Sequence, residues 1–494
     1  MELFLENHSY KYAVEQIMLM LFPEERPVYP MEPSGAPAAR VRLSEGQTWV
    51  TATTALFFDG VRYDGMARVR RDALRDAVIS DRLKQRALKQ SFYRAGVRRL
   101  GRAPVWGSLS GIRPAKLLRN LLHEGMDEGA AMARFIALYD VAPERAALCM
   151  DAARSAEAEA ARLLPGDVCL YVGVPFCPTR CAYCSFVSQS VERSMALIPA
   201  FVDALLLDIH ATAAAVAEAE LRPVALYFGG GTPTTLSADE LERVFAALEA
   251  AFDLSACREI TVEAGRPDTI TAEKLAVLRA HGVSRVSVNP QTMSDRVLSA
   301  IGRRHSAADV YSALETVRTA GQFQVNMDLI AGLPEDTVAP FRATVEQVLA
   351  LGAENITVHT LALKKGSRLM LEGTRLPAAE EVGEMLSFAA ERLRGGGYRP
   401  YYLYRQKFMS GGFENMGWCL PGTENRYNIC IMEELCSILA LGAGASTKLL
   451  PGAGRVKRFF APKYAAEYIA GIEKVCADKR QIVDCLKGTH GGTL

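Results

Sequence analysis

The stretch that decides the fold is Tyr171-Val-Gly-Val-Pro-Phe-Cys177-Pro-Thr-Arg-Cys181-Ala-Tyr-Cys184-Ser-Phe186. Its first half, with the apolar residues before it, predicts a buried strand over Val168 to Pro175, and its second half bunches three cysteines in a C-x3-C-x2-C spacing on the loop that leaves this strand. Downstream, five more apolar runs alternate with amphipathic helices: Val224 to Phe228, Glu259 to Glu263, Arg285 to Asn289, Gln324 to Ile330 and Asn355 to Leu361. That alternation predicts βα units and a parallel sheet with right-handed crossovers. Six units instead of eight predict an incomplete α/β barrel, a (βα)6 arrangement. Ser237 with Glu240 three residues on forms a capping box before Leu241 to Phe252, and Gly321 ends the helix begun at Ser306.

In parallel βα folds the chemistry sits at the C-terminal strand ends, where loops vary without disturbing the core. The polar positions fall there. Tyr227-Phe-Gly-Gly-Gly-Thr-Pro233 puts three glycines where the second strand turns, letting backbone approach a ligand with no Cβ in the way. Glu263 ends the third strand, Gln291 follows the fourth and Asp328 lies near the end of the fifth, which implies a polar-lined cavity.

Three nearby thiolates cannot close a structural zinc site unaided, since zinc takes four ligands there. A 4Fe-4S cluster accepts thiolates at three irons and leaves a fourth iron open. Zinc with a distant cysteine or His305 as fourth ligand, and chance clustering of structural cysteines, stand as the alternatives.

Outside the barrel, Val41 to Leu43 and Trp49 to Phe58, with turn signals at Asp59-Gly60 and Asp64-Gly65, predict a small sheet. A helical run from Glu144 to Leu164 ends at Pro165-Gly166. Gly395-Gly396-Gly397 closes the repeating pattern. The expected organisation is therefore an α+β N-terminal domain at 1–165, the partial barrel at 166–397 and a small C-terminal domain at 398–494. Tyr398, Tyr401, Tyr402 and Tyr404 read as core and lid.

The chain has 494 residues, 49% hydrophobic and 23% charged, with 57 basic against 56 acidic side chains and a formal charge of +1. This excludes disorder and a nucleic-acid-coating polycation. Charge is locally uneven: Arg82 to Leu122 holds eleven Lys and Arg and no Asp or Glu, either a solvated helical face or a surface for something anionic. The longest charge-free apolar stretch, Cys436 to Thr447, is short of the ~20 residues of a membrane span. An N-terminus with early acidic residues does not read as a secretory signal. Eleven cysteines, an odd number spread over a long chain, argue for reduced thiols and a cytoplasmic location, with no membrane and no nucleic acid expected.

The cysteine spacing at the first strand end, with Tyr183 just before the last cysteine, resembles the radical S-adenosylmethionine (SAM) superfamily. Within it the sequence is similar to the oxygen-independent coproporphyrinogen III oxidase-like branch, nearest its coproporphyrinogen dehydrogenase subgroup. The marks are Val-Pro-Phe-Cys177, Tyr-Cys-Ser-Phe186, Gly-Gly-Gly-Thr-Pro-Thr234, Asn-Pro-Gln291, Arg303-Arg304-His305 and Met-Asp328-Leu-Ile-Ala-Gly-Leu-Pro334. The resemblance implies a 4Fe-4S cluster on Cys177, Cys181 and Cys184, with SAM chelating the open iron and yielding a 5'-deoxyadenosyl radical. By position, Tyr171, Gly230 and Glu263 resemble contacts of the cluster-bound SAM, and Tyr183, Gly231, Thr232, Gln291, Arg303, Asp328 and Ala362 those of a second SAM site.

It further implies a porphyrinogen substrate, coproporphyrinogen III, two of whose propionates become vinyls to give protoporphyrinogen IX in haem biosynthesis, and an electron donor such as flavodoxin or ferredoxin. A polyanionic substrate would give the basic run a purpose through Arg94, Arg99 or Arg113. Catalytic side chains are not named by the resemblance, and His359 on the sixth strand reads as a packed residue. Three departures stand out: Phe186 where the oxidases carry a fourth cysteine, Gly173 where the family commonly has His, and a long N-terminal domain containing Val105-Trp-Gly-Ser-Leu-Ser-Gly-Ile-Arg-Pro114, which fits the dehydrogenase subgroup. A haem chaperone of the same branch and an RNA-modifying radical SAM enzyme are the competing readings.

Overall fold

The computed structural model describes residues 1–494 except 33, 36, 185–188, 191–193, 363–366, 372–375, 407–409, 453–455 and 491–494. Phe186 lies outside the described residues. The chain divides into two compact units, one of Met1–Met150 with Gly411–Phe413 and one of Asp151–Ser410 with Glu414–Leu494.

In the first unit, β1 (Glu2–Glu6), β2 (Ala38–Glu45), β3 (Trp49–Phe58) and β4 (Val61–Arg70) form one sheet in chain order. Alternate residues of β2 and β3 are buried, and this apolar face packs on α1 (Lys11–Leu21) and α2 (Ala77–Leu100) in one core. Asp59-Gly60 is the β3–β4 turn, with φ of 50° and 77°, as the pattern predicts. Asp64-Gly65 is not a turn. It lies inside β4, where a Cβ on Gly65 would come within 2.6 Å of the Ala95 amide nitrogen and nearer still to the Ser91 carbonyl of α2. The glycine is there so that helix and strand can touch backbone to backbone.

The second unit carries the six expected parallel strands: β5 (Asp167–Val174), then, after a short parallel pair β6 (Phe176–Cys177) and β7 (Gln189–Ser190), β8 (Arg222–Gly230), β9 (Ile260–Val262), β10 (Arg285–Ser287), β11 (Gln324–Ala331) and β12 (Asn355–Thr360). Helices Ile198–Glu218, Ala238–Ala251, Ala272–Ala280, Ala307–Ala320, Val338–Leu351 and Ala379–Gly395 follow the successive strands. The Ser237–Glu240 box is formed in both directions, at 3.2 and 2.7 Å.

The stretch after Tyr398 hydrogen-bonds into the same sheet at both edges. β13 (Arg399–Tyr404) and β14 (Asn415–Cys419) extend it antiparallel beyond β12. On the other side β15 (Ser437–Gly442) runs parallel to β5, followed by β16 (Ser446–Leu449) and β17 (Lys457–Phe460). Tyr398, Tyr401 and Tyr402 are core residues.

Among the described residues one helix, Met195–Glu218, is long and apolar enough to cross a membrane by composition. It is the first crossover helix. Its fully buried Asp208 pairs with Lys479 at 2.7 Å and accepts hydrogen bonds from the Tyr468 hydroxyl at 2.7 Å and the Gly442 amide at 3.0 Å. A carboxylate so thoroughly satisfied by protein is the mark of a core helix.

Candidate active site

The cysteine loop is pinned at two ends. On one side, the Gly231 amide donates to the Val174 carbonyl and the Thr232 amide to the Phe176 carbonyl, both at 2.7 Å. A Cβ on Gly231 would lie 2.8 Å from the Phe176 carbonyl carbon, so only glycine lets the β8 loop press against the backbone before Cys177. Thr232 Oγ1 stands 3.5 Å from Cys177 Sγ. On the other side the Ala182 amide donates to the Ile301 carbonyl at 2.9 Å. Gly173, a departure from the histidine common in the family it resembles, has its open face filled by the β15–β16 turn: a Cβ there would be 3.1 Å from the Ala443 carbonyl oxygen.

The loop's charge environment is set by two arginines. Arg266, 3% exposed, donates from Nη1 to Cys181 Sγ at 3.4 Å and from Nη2 to Thr179 Oγ1 at 2.7 Å. Arg303 donates from Nη1 to the Asn289 carbonyl at 2.7 Å and from Nη2 to the Tyr183 hydroxyl at 3.2 Å. Burial works to raise the Cys181 thiol, but Arg303 and Arg266 outweigh it and hold the thiol below its ordinary value. Burial pushes the Tyr183 phenol up, so it stays protonated. Among the described residues His305, 4% exposed, has no hydrogen-bond partner on either ring nitrogen, and burial together with Arg303 and Arg266 pushes it down to about 4. It is a neutral imidazole.

A second polar group is built on β8, β11 and the end of β9. Gly229 is bare toward Tyr171 and Glu263: a Cβ there would lie 3.1 Å from the Tyr171 hydroxyl and 3.2 Å from the Glu263 carboxyl. The Tyr227 hydroxyl donates to Glu263 Oε1 at 2.6 Å, and its ring stacks on Tyr427 at 4.3 Å between centroids. Burial raises Glu263 to about 7 against the Tyr227 hydrogen bond, with Asp328 adding to the rise. Asp328 accepts from Asn289 Nδ2 and Asn326 Nδ2, both at 2.9 Å, and lies 3.8 Å from His359 Nε2. Burial alone would raise it, yet His359 and Asn326 bring it below the usual carboxylate range.

Gln291 is held at φ 67°, a conformation side chains rarely adopt, its amide donating to the Asp328 carbonyl at 2.8 Å while its own carbonyl accepts from the Ile330 amide at 3.0 Å. Gly230 has φ 106°. Ala362 follows β12, half-buried.

These residues fit an iron–sulfur cube better than a single ion. Among the described residues, the sulfurs of Cys177, Cys181 and Cys184 do not form a group lying within 4.8 Å of one another, as ligands of one ion would. Two fixed guanidiniums beside the loop suit the net negative charge of a cube held by three thiolates. The bare backbone at Gly229 lets the Tyr171 hydroxyl and the Glu263 carboxyl close in on β8, where a Cβ would crowd both.

Six parallel strands, a C-x3-C-x2-C loop at the first strand end and a glycine turn at the second define the radical SAM class of fold and site. A family model described as the radical SAM superfamily matches residues 171–348. The "oxygen-independent coproporphyrinogen-III oxidase-like protein HemZ" of Bacillus subtilis is 38% identical over 76% of this chain and 76% of its own. The "heme chaperone HemW" of Lactococcus lactis is 31% identical over 56% of this chain and 68% of its own. The solved HemN of Escherichia coli, a coproporphyrinogen III oxidase, shares the fold, with TM-score 0.52 and 22% identity over 65% of this chain and 72% of that one. The chain belongs to the radical SAM superfamily, in its oxygen-independent coproporphyrinogen III oxidase-like branch, which works with a 4Fe-4S cluster and SAM.

Two further residues belong to this region. Arg266 contacts Cys181 and Thr179, yet Gly265-Arg266-Pro267 carries no metal-ligand or catalytic pattern in sequence. Tyr427, 200 residues beyond its stacking partner Tyr227, is equally silent. Five of the eleven side chains in the basic run have partners within their own unit. Lys84 pairs with Glu45, Lys89 donates to Ser110 Oγ at 2.7 Å, and Arg94 and Arg98 cap the Met66 and Asp64 carbonyls of the β4 edge. Arg99 lies over the Phe58 ring at 4.9 Å. Arg86, Arg94 and Arg134 also wall a cavity of about 680 Å³ inside that unit, where an anion would be drawn.

Proposed function

We propose that the chain performs oxygen-independent oxidative decarboxylation of coproporphyrinogen III propionates to vinyls, yielding protoporphyrinogen IX. The observation that carries the reading is Cys181 in the field of Arg266 and Arg303: a thiol already inclined to ionise, on a loop of three, is prepared to hold an iron.

Cys177, Cys181 and Cys184 would hold the cluster, which with SAM supplies the hydrogen-abstracting 5'-deoxyadenosyl radical. Tyr171, Gly230 and Glu263 would receive the SAM at the open iron. The Glu263 carboxyl, raised by burial to about 7, shifts toward its anionic form when a cationic group such as the SAM sulfonium comes near it. Arg303 and Tyr183, with Gly231, Thr232, Gln291, Asp328 and Ala362, would line a second SAM position. The low-lying Asp328 beside His359 gives a fixed anion there.

An external electron donor such as flavodoxin or ferredoxin would reduce the cluster. None of the eleven cysteines is in a disulfide, which suits a reducing cytoplasm. The similarity to proteins named haem chaperones supplies the rival reading.

The test is anaerobic incubation of the reconstituted protein with SAM, dithionite and coproporphyrinogen III. Vinyl product together with 5'-deoxyadenosine is the expected result. Tight haem binding with no vinyl product would replace the oxidase with the chaperone reading.

A further inference from the structure

Three other cysteines converge on the opposite half of β5. Cys169 is the third residue of that strand, Cys430 lies on the helix Arg426–Glu433, and Cys436 immediately precedes β15. Their sulfurs all lie within 4.8 Å of one another, with Cys169 and Cys436 at 3.6 Å. The side chains are 0%, 1% and 7% exposed, walled by Val224, Ala225, Ile438 and Tyr427. Among the described residues no histidine or carboxylate joins the group at that spacing.

Buried cysteine often serves as a small hydrophobe. Filling space, however, does not require three sulfurs, delivered by three separate elements, to face one point. Thiolates ~2.3 Å from a shared ion stand roughly 3.8–4.0 Å apart in tetrahedral or trigonal geometry, and the group is already at that scale. Zinc in a closed structural site takes four ligands. A dry all-sulfur set of three instead selects a soft monovalent ion.

We propose that Cys169, Cys430 and Cys436 form a three-coordinate thiolate site for monovalent copper, separate from the cysteine loop. With the three side chains buried, the site loads as the chain folds, while the thiol protons can still pass to water. The ion would tie β5, the helix and β15 together. It would also steady Tyr427, three residues before Cys430, against Tyr227 and so against Glu263.

The full-length chain is produced in copper-supplemented cells, its cluster rebuilt anaerobically, and its metals counted alongside X-ray absorption at the copper edge. The expected result is about one copper per chain with sulfur-only coordination, kept in Cys177→Ser and reduced at least about tenfold in both Cys430→Ser and Cys436→Ser. Cys430→Ala and Cys436→Ala, checked for native circular dichroism, replace a serine variant that does not fold. No copper, zinc in its place, copper that survives both substitutions, or copper lost with Cys177→Ser would each overturn the proposal.

Discussion

Gly231→Ala is the sharpest probe of how the site is held. The new methyl would sit 2.8 Å from the Phe176 carbonyl carbon, and ordinary contact is about 3.4 Å or more, so the peptide before Cys177 has to retreat by at least ~0.6 Å. The hydrogen bond from the Thr232 amide to the Phe176 carbonyl, 2.7 Å in the wild type, is spent in the process, at about 1 kcal/mol. Overpacking adds about 1–3 kcal/mol. These sums leave the barrel folded but displace Cys177, the proposed first cluster ligand, and a misplacement near 1 Å costs on the order of 100-fold in a positioned reaction. The assay is iron content and 5'-deoxyadenosine formation after anaerobic reconstitution. Gly265→Ala is the control, because its Cβ would meet only Asn289 Nδ2 at 3.7 Å. Wild-type iron content with SAM cleavage within about twofold of normal would refute the claim that this glycine sets the cysteine loop.

Arg266→Ala removes a cation 3.4 Å from Cys181 Sγ and should lower the cluster reduction potential by on the order of 50 mV, since ~59 mV corresponds to ~1.4 kcal/mol for one electron. A potentiometric titration followed by electron paramagnetic resonance reads this directly, and an unchanged or higher potential contradicts it. For Glu263 the folded value of about 7 stands above the ordinary 4.5, so the folded chain keeps its proton longer than the unfolded one. Wild-type stability is intact below pH 4.5 and falls by about 3 kcal/mol as pH rises through the folded value. Glu263→Gln in the cluster-free chain should therefore gain on the wild type between pH 5 and 8 in chemical-denaturation midpoints, whereas parallel pH profiles would exclude the raised value. Gly65→Ala forces a methyl into the backbone of α2 and should cost the N-terminal unit about 2 kcal/mol or more in calorimetry. Gly111→Ala, with nothing nearer than Leu109 Cδ1 at 3.6 Å, should not.

The barrel was legible because its cause is local. Each strand is an apolar run whose length and neighbours admit little else, and all six appear within two residues of where the pattern puts them. Ser237 and Glu240 announce a helix start with two residues. Asp64-Gly65 misled because the same dipeptide serves a turn and a close helix–strand contact, and only the helix 26 to 30 residues later decides which. The site divides along the same line. Cysteines three and four positions apart betray themselves, but the Arg266–Cys181 contact spans 85 residues and Cys169–Cys436 spans 267, and no spacing rule reaches so far. The strands after Tyr398 were hidden for a related reason: their partners, β12 and β5, lie far upstream.

The pairing of β15 with β5 bears on how the molecule is made. Val168 meets Ser437, so during translation the inner edge of the first barrel strand waits for about 270 more residues to leave the ribosome, roughly 15–55 s at ordinary elongation rates. Throughout that interval a long, apolar row of unmatched amides is on offer to any passing strand. A nascent chain arrested before Ser437 would keep that edge indefinitely, which makes the emergence of Ser437–Gly442 the step that separates a chain with a guarded first strand from one still open to misassociation.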